Sequence, residues 1–212
     1  MTEIDLETWK RKEHFLFFKD MSHPVYNLCF DIDITGLHRF AKLHEHPLYL
    51  AIIYYCMHCV NSIDEFKYRY RDGKVLRFDS VHPSFTVLDK ETELFKIITI
   101  SADAAFGEFV ETARRQEKAQ KTIVDSEMEH RDDLVYITAI PWISFTSISH
   151  VFSLGDFDSI PRISWGKTKL SGDRVMLPFS VQVNHAFVDG YHIGRLNEEL
   201  GKTQEKLEEI FA

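Results

Sequence analysis

The chain has 212 residues, of which 44% are hydrophobic, and this is enough to bury a sizeable core in one compact domain. Acidic residues outnumber basic ones by 33 to 25 with no Lys/Arg-rich run, so nucleic acid is not an expected partner. The longest apolar run, residues 48–57, is shorter than the ~20 residues that cross a bilayer. Three cysteines and an acidic N-terminus without a signal-peptide core predict a cytoplasmic, reduced protein that does not enter a membrane.

The elements follow from apolar spacing, taken in chain order. A short helix is predicted near residues 9–18, and Asp72-Gly73 is predicted to turn a hairpin over residues 68–78. Alternation predicts strands over residues 26–34, 84–88, 94–100, 134–140, 143–148, 163–170 and 175–183. Helical spacing predicts helices after Thr35, from Pro47 to Val60, after Ser101 and after Gly190. Thr35 and Ser101 are the expected caps.

This order of elements predicts the fold class. Strands and helices mix along the chain without a repeat or a linker, and residues 114–133 are a charged loop or solvated face. We expect an α/β (α+β) two-layer sandwich in which helices pack on one side of a large mixed β-sheet. Residues 1–212 are expected to form a single domain.

The strand over residues 175–183 leads to the strongest candidate for chemistry. Val181, Val183 and His185 share its buried face, and Asp189-Gly190 ends the strand before helical spacing begins. A neutral histidine held by a partner on one nitrogen can act as a general base through the other. Asp189 is a candidate for that partner, and it can equally form an ion pair with Arg11. The alternative for His185 itself is a hydrogen-bonded, inert residue at a strand end.

Other chemistries lack the residues that they need. Cys56, His58 and Cys59 lie in a predicted helix, and no second Cys or His pair is spaced to complete a zinc site. Packing in the core is the favoured interpretation for both thiols. Neither a Gly-x-Ser-x-Gly elbow nor a Gly-rich phosphate loop occurs. We therefore expect no metal and no bound cofactor.

His-x-x-x-Asp-Gly at residues 185–190 resembles the signature of coenzyme A (CoA)-dependent acyltransferases. Further segments resemble the chloramphenicol acetyltransferase family in order and spacing, and the likeness spans nearly the whole chain. These segments are Trp9-x-Arg11-Lys12-Glu13-His14-Phe15, residues 78–86, Glu91-Thr-Glu93-x-Phe95, Pro141-Trp142-Ile-Ser-Phe145 and residues 177–185.

The resemblance implies a mechanism and an assembly. In the family the histidine, here His185, takes the proton from an acceptor hydroxyl, with its ring oriented by its own backbone carbonyl. The aspartate, here Asp189, forms a structural salt bridge with the arginine at position 11. Acetyl-CoA is the co-substrate, and it enters from the face opposite the small hydroxylated acceptor. The family is a homotrimer with its active sites between subunits.

Comparison with the family pattern, position by position, implies roles for the remaining candidate residues. Thr138 stands where the family has a serine hydroxyl that stabilises the transition state, and as a β-branched residue it is stiffer. The resemblance implies CoA contacts at Trp142, which is retained, and at Ser164 and Thr168, which replace Thr and Tyr. The acceptor pocket is implied at Phe17, Phe18, Thr86, Phe95, His150 and Arg162. Within that set Phe18 replaces Tyr, and His150 and Arg162 fall where the family is apolar.

Three hypotheses follow from the sequence. The first is an O-acetyltransferase that acts on chloramphenicol, which would confer antibiotic resistance. The second is the same reaction on another hydroxylated or amine acceptor, which Thr138 and Arg162 keep open. The third is a catalytically silent trimer that binds a ligand. Arg11, His185 and Asp189 occur together, and this favours an enzyme. A buried unpaired guanidinium is costly, so Arg162 must meet an acidic partner, solvent or an anionic acceptor group.

Overall fold

A computed structural model describes residues 1–125, 131–151 and 157–212. Its α-helices are Lys12–Lys19 (α1), Thr35–Leu43 (α2), Leu48–Asn61 (α3), Phe106–Ala119 (α4), Gly190–Lys202 (α5) and Leu207–Ile210 (α6), with 3₁₀ helices at Asp64–Lys67 and Thr203–Lys206. Its strands are Thr2–Glu3 (β1), Val25–Asp33 (β2), Tyr68–Arg71 (β3), Lys74–Arg77 (β4), His82–Leu88 (β5), Phe95–Thr99 (β6), Leu134–Ile140 (β7), Arg162–Gly166 (β8), Lys169–Ser171 (β9) and Arg174–Asn184 (β10).

Two sheets organise these strands. Six of the seven strands in the large sheet follow the order β2-β10-β8-β7-β5-β6, and the seventh, β9, pairs with β10 off this path. The β5–β7 and β7–β8 pairs are parallel and the others are antiparallel, which confirms the predicted mixed sheet. The hairpin predicted at Asp72-Gly73 belongs to a separate three-stranded sheet, β1-β4-β3. Both turn residues have positive φ, 51° and 80°, which favours this Asp-Gly pair.

One face of the large sheet carries the hydrophobic core. Register places a row of apolar side chains across six strands, at Leu28, Val181, Ile163, Ile137, Phe85 and Ile98. Tyr49 of α3 contacts this face, with its ring centroid 6.0 Å from that of Phe85 and 5.7 Å from that of Trp165. Phe109 of α4 lies 6.4 Å from Phe85. The helices therefore pack on this face, as the sequence predicts.

The opposite face is polar. One row contains Cys29, Ser180, Ser164 and Thr138, and the neighbouring row contains Asn27, Gln182, Arg162 and Tyr136. The segment after β7 crosses this face through side-chain bonds. Asn27 Nδ2 donates to the Ile148 carbonyl at 2.9 Å, and the His150 N–H donates to Gln182 Oε1 at 3.2 Å. Hydroxyls and amides thus collect on the side of the sheet away from α3 and α4.

The strand predicted over residues 143–148 is wrong. Its apolar alternation fits a strand, but β7 already has β5 and β8 as neighbours, so no free edge is available next to it. The segment instead approaches the end of β8, where the Lys167 N–H donates to the Ile143 carbonyl at 2.8 Å. A Cβ at Gly166 would lie 2.5 Å from that carbonyl oxygen, so this approach requires glycine.

Both predicted threonine and serine caps are wrong as well. Thr35 Oγ1 donates to Asp33 Oδ1 at 2.6 Å and accepts from the Val175 N–H at 2.8 Å, which ties α2 to β10 instead of capping it. Ser101 Oγ accepts from the Asp103 N–H, and α4 begins only at Phe106. The helix then continues to Ala119, inside the segment 114–133 that is predicted as a charged loop or solvated face and of which residues 126–130 lie outside the described residues.

Candidate active site

His185 follows directly after β10, and aromatic rings hold it on both sides. The Phe18 ring of α1 stacks on the imidazole with centroids 4.3 Å apart at 12°, and Tyr26 of β2 stacks at 4.7 Å and 24°. The His185 N–H donates to the Pro24 carbonyl at 2.7 Å. Nδ1 is buried and has no hydrogen-bond partner among the described residues. Packing rather than a hydrogen bond therefore fixes the plane of this ring.

Arg11 clamps the backbone beside that ring. Its Nη2 donates to the His185 carbonyl at 3.1 Å, and its Nε donates to the Ala186 carbonyl at 2.8 Å. Its Nη1 forms an ion pair with Asp189 Oδ2 at 2.9 Å. One guanidinium thus joins the end of β10 to the start of α5. The resemblance implies that the His185 carbonyl orients the imidazole, but in the described part of the chain Nδ1 forms no such bond, and Arg11 donates to that carbonyl instead.

Asp189 serves both the ion pair and the helix start. Its Oδ1 accepts from the Tyr191 N–H at 3.0 Å, and its own N–H donates to His192 Nδ1 at 3.1 Å. Both bonds satisfy amides in the first turn of α5, which would otherwise lack partners. In the described part of the chain the Asp189 carboxylate lies against Arg11 and His192 and forms no hydrogen bond with the His185 imidazole, so the geometry favours the ion pair over a charge relay.

The charge state of Asp189 follows from this arrangement. Burial alone raises the pKa of a carboxyl, but the hydrogen bond from Arg11, the neighbouring His192, the charge of Arg11 and the Tyr191 N–H together outweigh it and lower the pKa of Asp189. The carboxylate is therefore ionised at neutral pH. A lowered pKa in the folded state contributes stability above the unfolded pKa, and this contribution is lost as the pH falls through the folded pKa.

A second group of candidates lies on the polar face. Thr138 is half-buried and is the register partner of Ser164, one strand away. Ser164 is fully buried, and its Oγ lies 2.8 Å from His150 Nε2. Burial, assisted by the charge of Arg162, lowers the pKa of His150. The ring is therefore neutral at neutral pH. It forms one hydrogen bond with the Ser164 hydroxyl. Thr86 lies on the same face, beside Thr138.

Arg162 meets an acidic partner, which is one of the three options that the sequence leaves open. Its Nη2 lies 2.5 Å from Asp158 Oδ2, with 14% and 19% of the two side chains exposed. The guanidinium also lies over the Tyr136 ring, 5.4 Å from its centroid. Arg162 therefore presents a neutralised ion pair on the polar face, and not a free positive charge.

The two groups lie far apart within one chain. Thr138 aligns through Ser164 with Ser180 in β10, five residues before His185. At roughly 3.3 Å per residue and 4.8 Å per strand, this register separates them by about 16 Å along β10 and 10 Å across it. Alternation also places them on opposite faces. A single chain does not bring His185 and Thr138 together.

The remaining candidates are exposed. Phe17 in α1 is 66% exposed and Trp142 is also 66% exposed, while Phe95 in the edge strand β6 is 49% exposed. Thr168 lies on the surface between β8 and β9. Neither these residues nor His185 line the cavity of about 280 Å³ beside α3, which Tyr54, His58, Asn61, Asp79, Ser80, Ala102 and Asp103 surround.

The metal alternative receives no support from the parts of the chain that the structure covers. Residues 1–125, 131–151 and 157–212 contain no group of three metal-binding side chains. Cys56 and Cys59 are buried in α3, and burial raises the pKa of Cys59 to about 12. Such a thiol is protonated and packs as a hydrophobe, as the sequence predicts. None of the helices in the described ranges is long and apolar enough for a membrane crossing.

Sequence reasoning missed several residues of this site. Tyr26 stacks on His185, Asp158 pairs with Arg162, and His192 binds the backbone of Asp189. The only signal for Asp158 is its position four residues before Arg162. Tyr26 sits in a predicted strand, but its register against β10 is a tertiary property.

Comparison with solved structures defines the class of protein. A solved chloramphenicol acetyltransferase matches with a TM-score of 0.86 and 25% identity, covering 95% of this chain and 99% of its own. The fold is therefore that of a CoA-dependent acyltransferase, which favours the two enzymatic hypotheses over a silent trimer.

The family follows from sequence. The model of the chloramphenicol acetyltransferase family matches residues 1–201. A chloramphenicol acetyltransferase from Klebsiella sp is 31% identical over 200 residues, covering 94% of this chain and 91% of the relative. One from Bacillus pumilus is 31% identical, covering 93% and 90%. The chain belongs to the chloramphenicol acetyltransferase family.

Replacing Asp189 with Asn tests the ion pair. Asn keeps an oxygen for the Tyr191 N–H, so the substitution chiefly removes the negative charge. It leaves the Arg11 guanidinium, whose side chain is 11% exposed, without its ionic partner. We expect a loss of about 3 kcal/mol in the free energy of unfolding at neutral pH. Because the folded pKa is lowered, the difference from wild type should shrink in acid. Denaturant unfolding at both pH values checks this, and a pH-independent difference would contradict it.

Proposed function

We propose that the protein is a single-domain O-acetyltransferase that moves the acetyl group of acetyl-CoA to a hydroxyl of chloramphenicol. The observation that carries the proposal is the fixed position of His185, with its ring between Phe18 and Tyr26 and its carbonyl bound by Arg11. The names of the relatives support the choice of acceptor. Acetyl-CoA is a dissociable co-substrate in this proposal.

His185 acts as the general base in a direct ternary complex. Its Nε2 takes the hydroxyl proton while the acceptor oxygen attacks the acetyl carbonyl carbon. The tetrahedral intermediate then collapses, the C–S bond breaks, and the proton passes to the departing CoA sulfur.

Thr138 stabilises the oxyanion of that intermediate. Its hydroxyl lies on the polar face beside Ser164 and Thr86, and it can donate to the negatively charged oxygen. Trp142 and Thr168, both exposed, contact CoA in this proposal. Ser164, which the resemblance also assigns to CoA, is fully buried and supports the site through its contact with His150. Phe17, Phe18 and Phe95 supply the apolar side of the acceptor pocket.

The site is completed between subunits of a homotrimer. His185 and Thr138 lie on opposite faces of one sheet and about 19 Å apart by strand geometry, so a second copy has to supply one of them. In a closed ring each copy presents its His185 end to the polar face of the next. This arrangement gives three equivalent sites.

His185→Ala tests the base. General-base catalysis contributes ~10²–10⁴-fold, so we expect kcat for chloramphenicol acetylation to fall by at least about 100-fold. The control is His58→Ala, an exposed histidine in α3, which should keep wild-type turnover. The assay follows CoA thiol release from acetyl-CoA. If His185→Ala retained more than about a tenth of the turnover, the assignment would be wrong.

A pair of substitutions at Thr138 tests the oxyanion donor. Thr138→Ser keeps the hydroxyl and should have near wild-type kcat. Thr138→Val keeps the shape and removes the donor, so kcat should fall by ~10²–10³-fold with the melting temperature unchanged. Equal turnover of the two variants would remove Thr138 from the mechanism.

The mass in solution tests the assembly. Light scattering at micromolar concentration should report three copies of the 24.9 kDa chain. A monomeric mass in a sample that turns over substrate would contradict the shared site, because one chain does not bring His185 and Thr138 together.

A second candidate function is acetylation of a different acceptor. The Arg162–Asp158 ion pair and the His150–Ser164 contact lie on the face that carries Thr138. They make this part of the proposed pocket polar, and a polar pocket binds an apolar aryl group less well. The pair is already neutralised, so it favours a neutral acceptor with hydrogen-bonding groups over an anionic one.

A double substitution separates the two functions. Arg162→Ile alone would leave the Asp158 carboxylate, whose side chain is 19% exposed, without an ionic partner. Asp158→Asn is therefore introduced together with it. If the ion pair limits chloramphenicol binding, the double variant should raise kcat/KM for chloramphenicol by about 10-fold. Asp158→Asn alone is the control. Wild-type efficiency of ~10⁴–10⁸ M⁻¹s⁻¹ with no gain in the double variant would reject the second function.

A further inference from the structure

A second histidine lies directly behind the Arg11 clamp. His192 is the third residue of α5 and is 7% exposed, and the proposed chemistry does not use it. Its Nδ1 lies 3.1 Å from Asp189 Oδ1 and accepts the Asp189 N–H, also at 3.1 Å, so in the neutral ring Nδ1 carries no proton. The ring proton is therefore on Nε2, which faces Glu65 Oε1 at 3.5 Å.

Glu65 holds the far side of that ring from another element. It lies in the 3₁₀ helix Asp64–Lys67, and its hydrogen bond with His192 is the largest factor that lowers the pKa of Glu65. Arg195 Nη1 lies 3.6 Å from Glu65 Oε2. An ionised carboxylate at this position favours the tautomer with the proton on Nε2, which leaves Nδ1 free to accept from Asp189.

These contacts form a continuous path to the proposed base. His192 fixes the backbone N–H of Asp189, the Asp189 carboxylate binds Arg11, and Arg11 binds the carbonyl of His185. Each link is a hydrogen bond or an ion pair between groups that are buried or half-buried. A shift of the Asp189 backbone therefore moves the anchor of the His185 backbone.

We propose that His192 is a positioning residue for His185, with Glu65 fixing its tautomer. This inference rests on the proposed role of His185. The alternative is that His192 only stabilises the start of α5. The two differ in what its loss does to kcat of fully folded protein, because misplacement of a catalytic group by about 1 Å can cost ~10²-fold in rate.

His82 supplies a matched control within the same chain. Its Nδ1 accepts the Ala102 N–H at 3.0 Å and its Nε2 lies 3.7 Å from Asp133 Oδ2, so its bonding repeats that of His192. Both of these partners lie away from Arg11, Asp189 and His185 in the chain, so His82 is not a link in the path to the base. Replacing either histidine with Leu removes the same kind of bond, but only one of the two lies on the path to the base.

The experiment measures kcat and KM for acetyl-CoA and chloramphenicol on His192→Leu, His192→Asn, Glu65→Gln and His82→Leu, with folded fraction checked by circular dichroism. We expect His192→Leu to lower kcat by about 10- to 100-fold with KM for acetyl-CoA unchanged. Asn places Oδ1 near the position of Nδ1, so His192→Asn should recover most of the loss. His82→Leu should keep wild-type kcat.

Two results would overturn the proposal. One is a kcat for folded His192→Leu equal to that of His82→Leu, and the other is a His192→Asn variant as impaired as the Leu variant. If the Leu variant fails to fold, Glu65→Gln provides the test. An unchanged kcat in that variant would reject the proposed role of Glu65 in fixing the tautomer of His192. Failure of the proposed function is distinct, because His185→Ala would then keep its turnover.

Discussion

One buried guanidinium sets the geometry on which the rest of the site depends. Arg11 is 11% exposed, so each N–H that it buries needs an acceptor, and the chain supplies two carbonyls and one carboxylate. Lys has three donors on a single point and cannot span these acceptors as the planar fork does. The clamp joins α1, the end of β10 and the start of α5, and it holds the backbone of His185 at their junction.

The imidazole itself is held by different forces from its backbone. Phe18 and Tyr26 fix its plane from both faces, while Nδ1 is buried without a partner in the described part of the chain. Stacking between two aromatic rings restricts the imidazole without a charged partner. It leaves the second ring nitrogen available for the proposed proton transfer. The polar face carries the hydroxyls of the proposed oxyanion site, and the distance between the two halves is the reason for proposing a site shared between subunits.

The sequence predicted the parts of this site that depend on local patterns. Alternation up to Val183 and the Asp189-Gly190 break gave β10 and α5 because strand and helix periods are local. The segment at 143–148 has the same alternation but no partner strand, and sheet pairing is not local. Arg162 illustrates the same limit, since its cost was predictable and its partner Asp158 was not. His192 lacked any signal, because its role depends on Glu65 from a distant element.

A crystal structure of the protein with chloramphenicol and CoA bound tests the proposed shared site most directly. We predict that the acceptor hydroxyl lies within ~2.6–3.2 Å of His185 Nε2, with Thr138 of a second copy on the other side of the reacting centre. A drug molecule bound by one chain alone, with its hydroxyl out of reach of His185, would contradict the account.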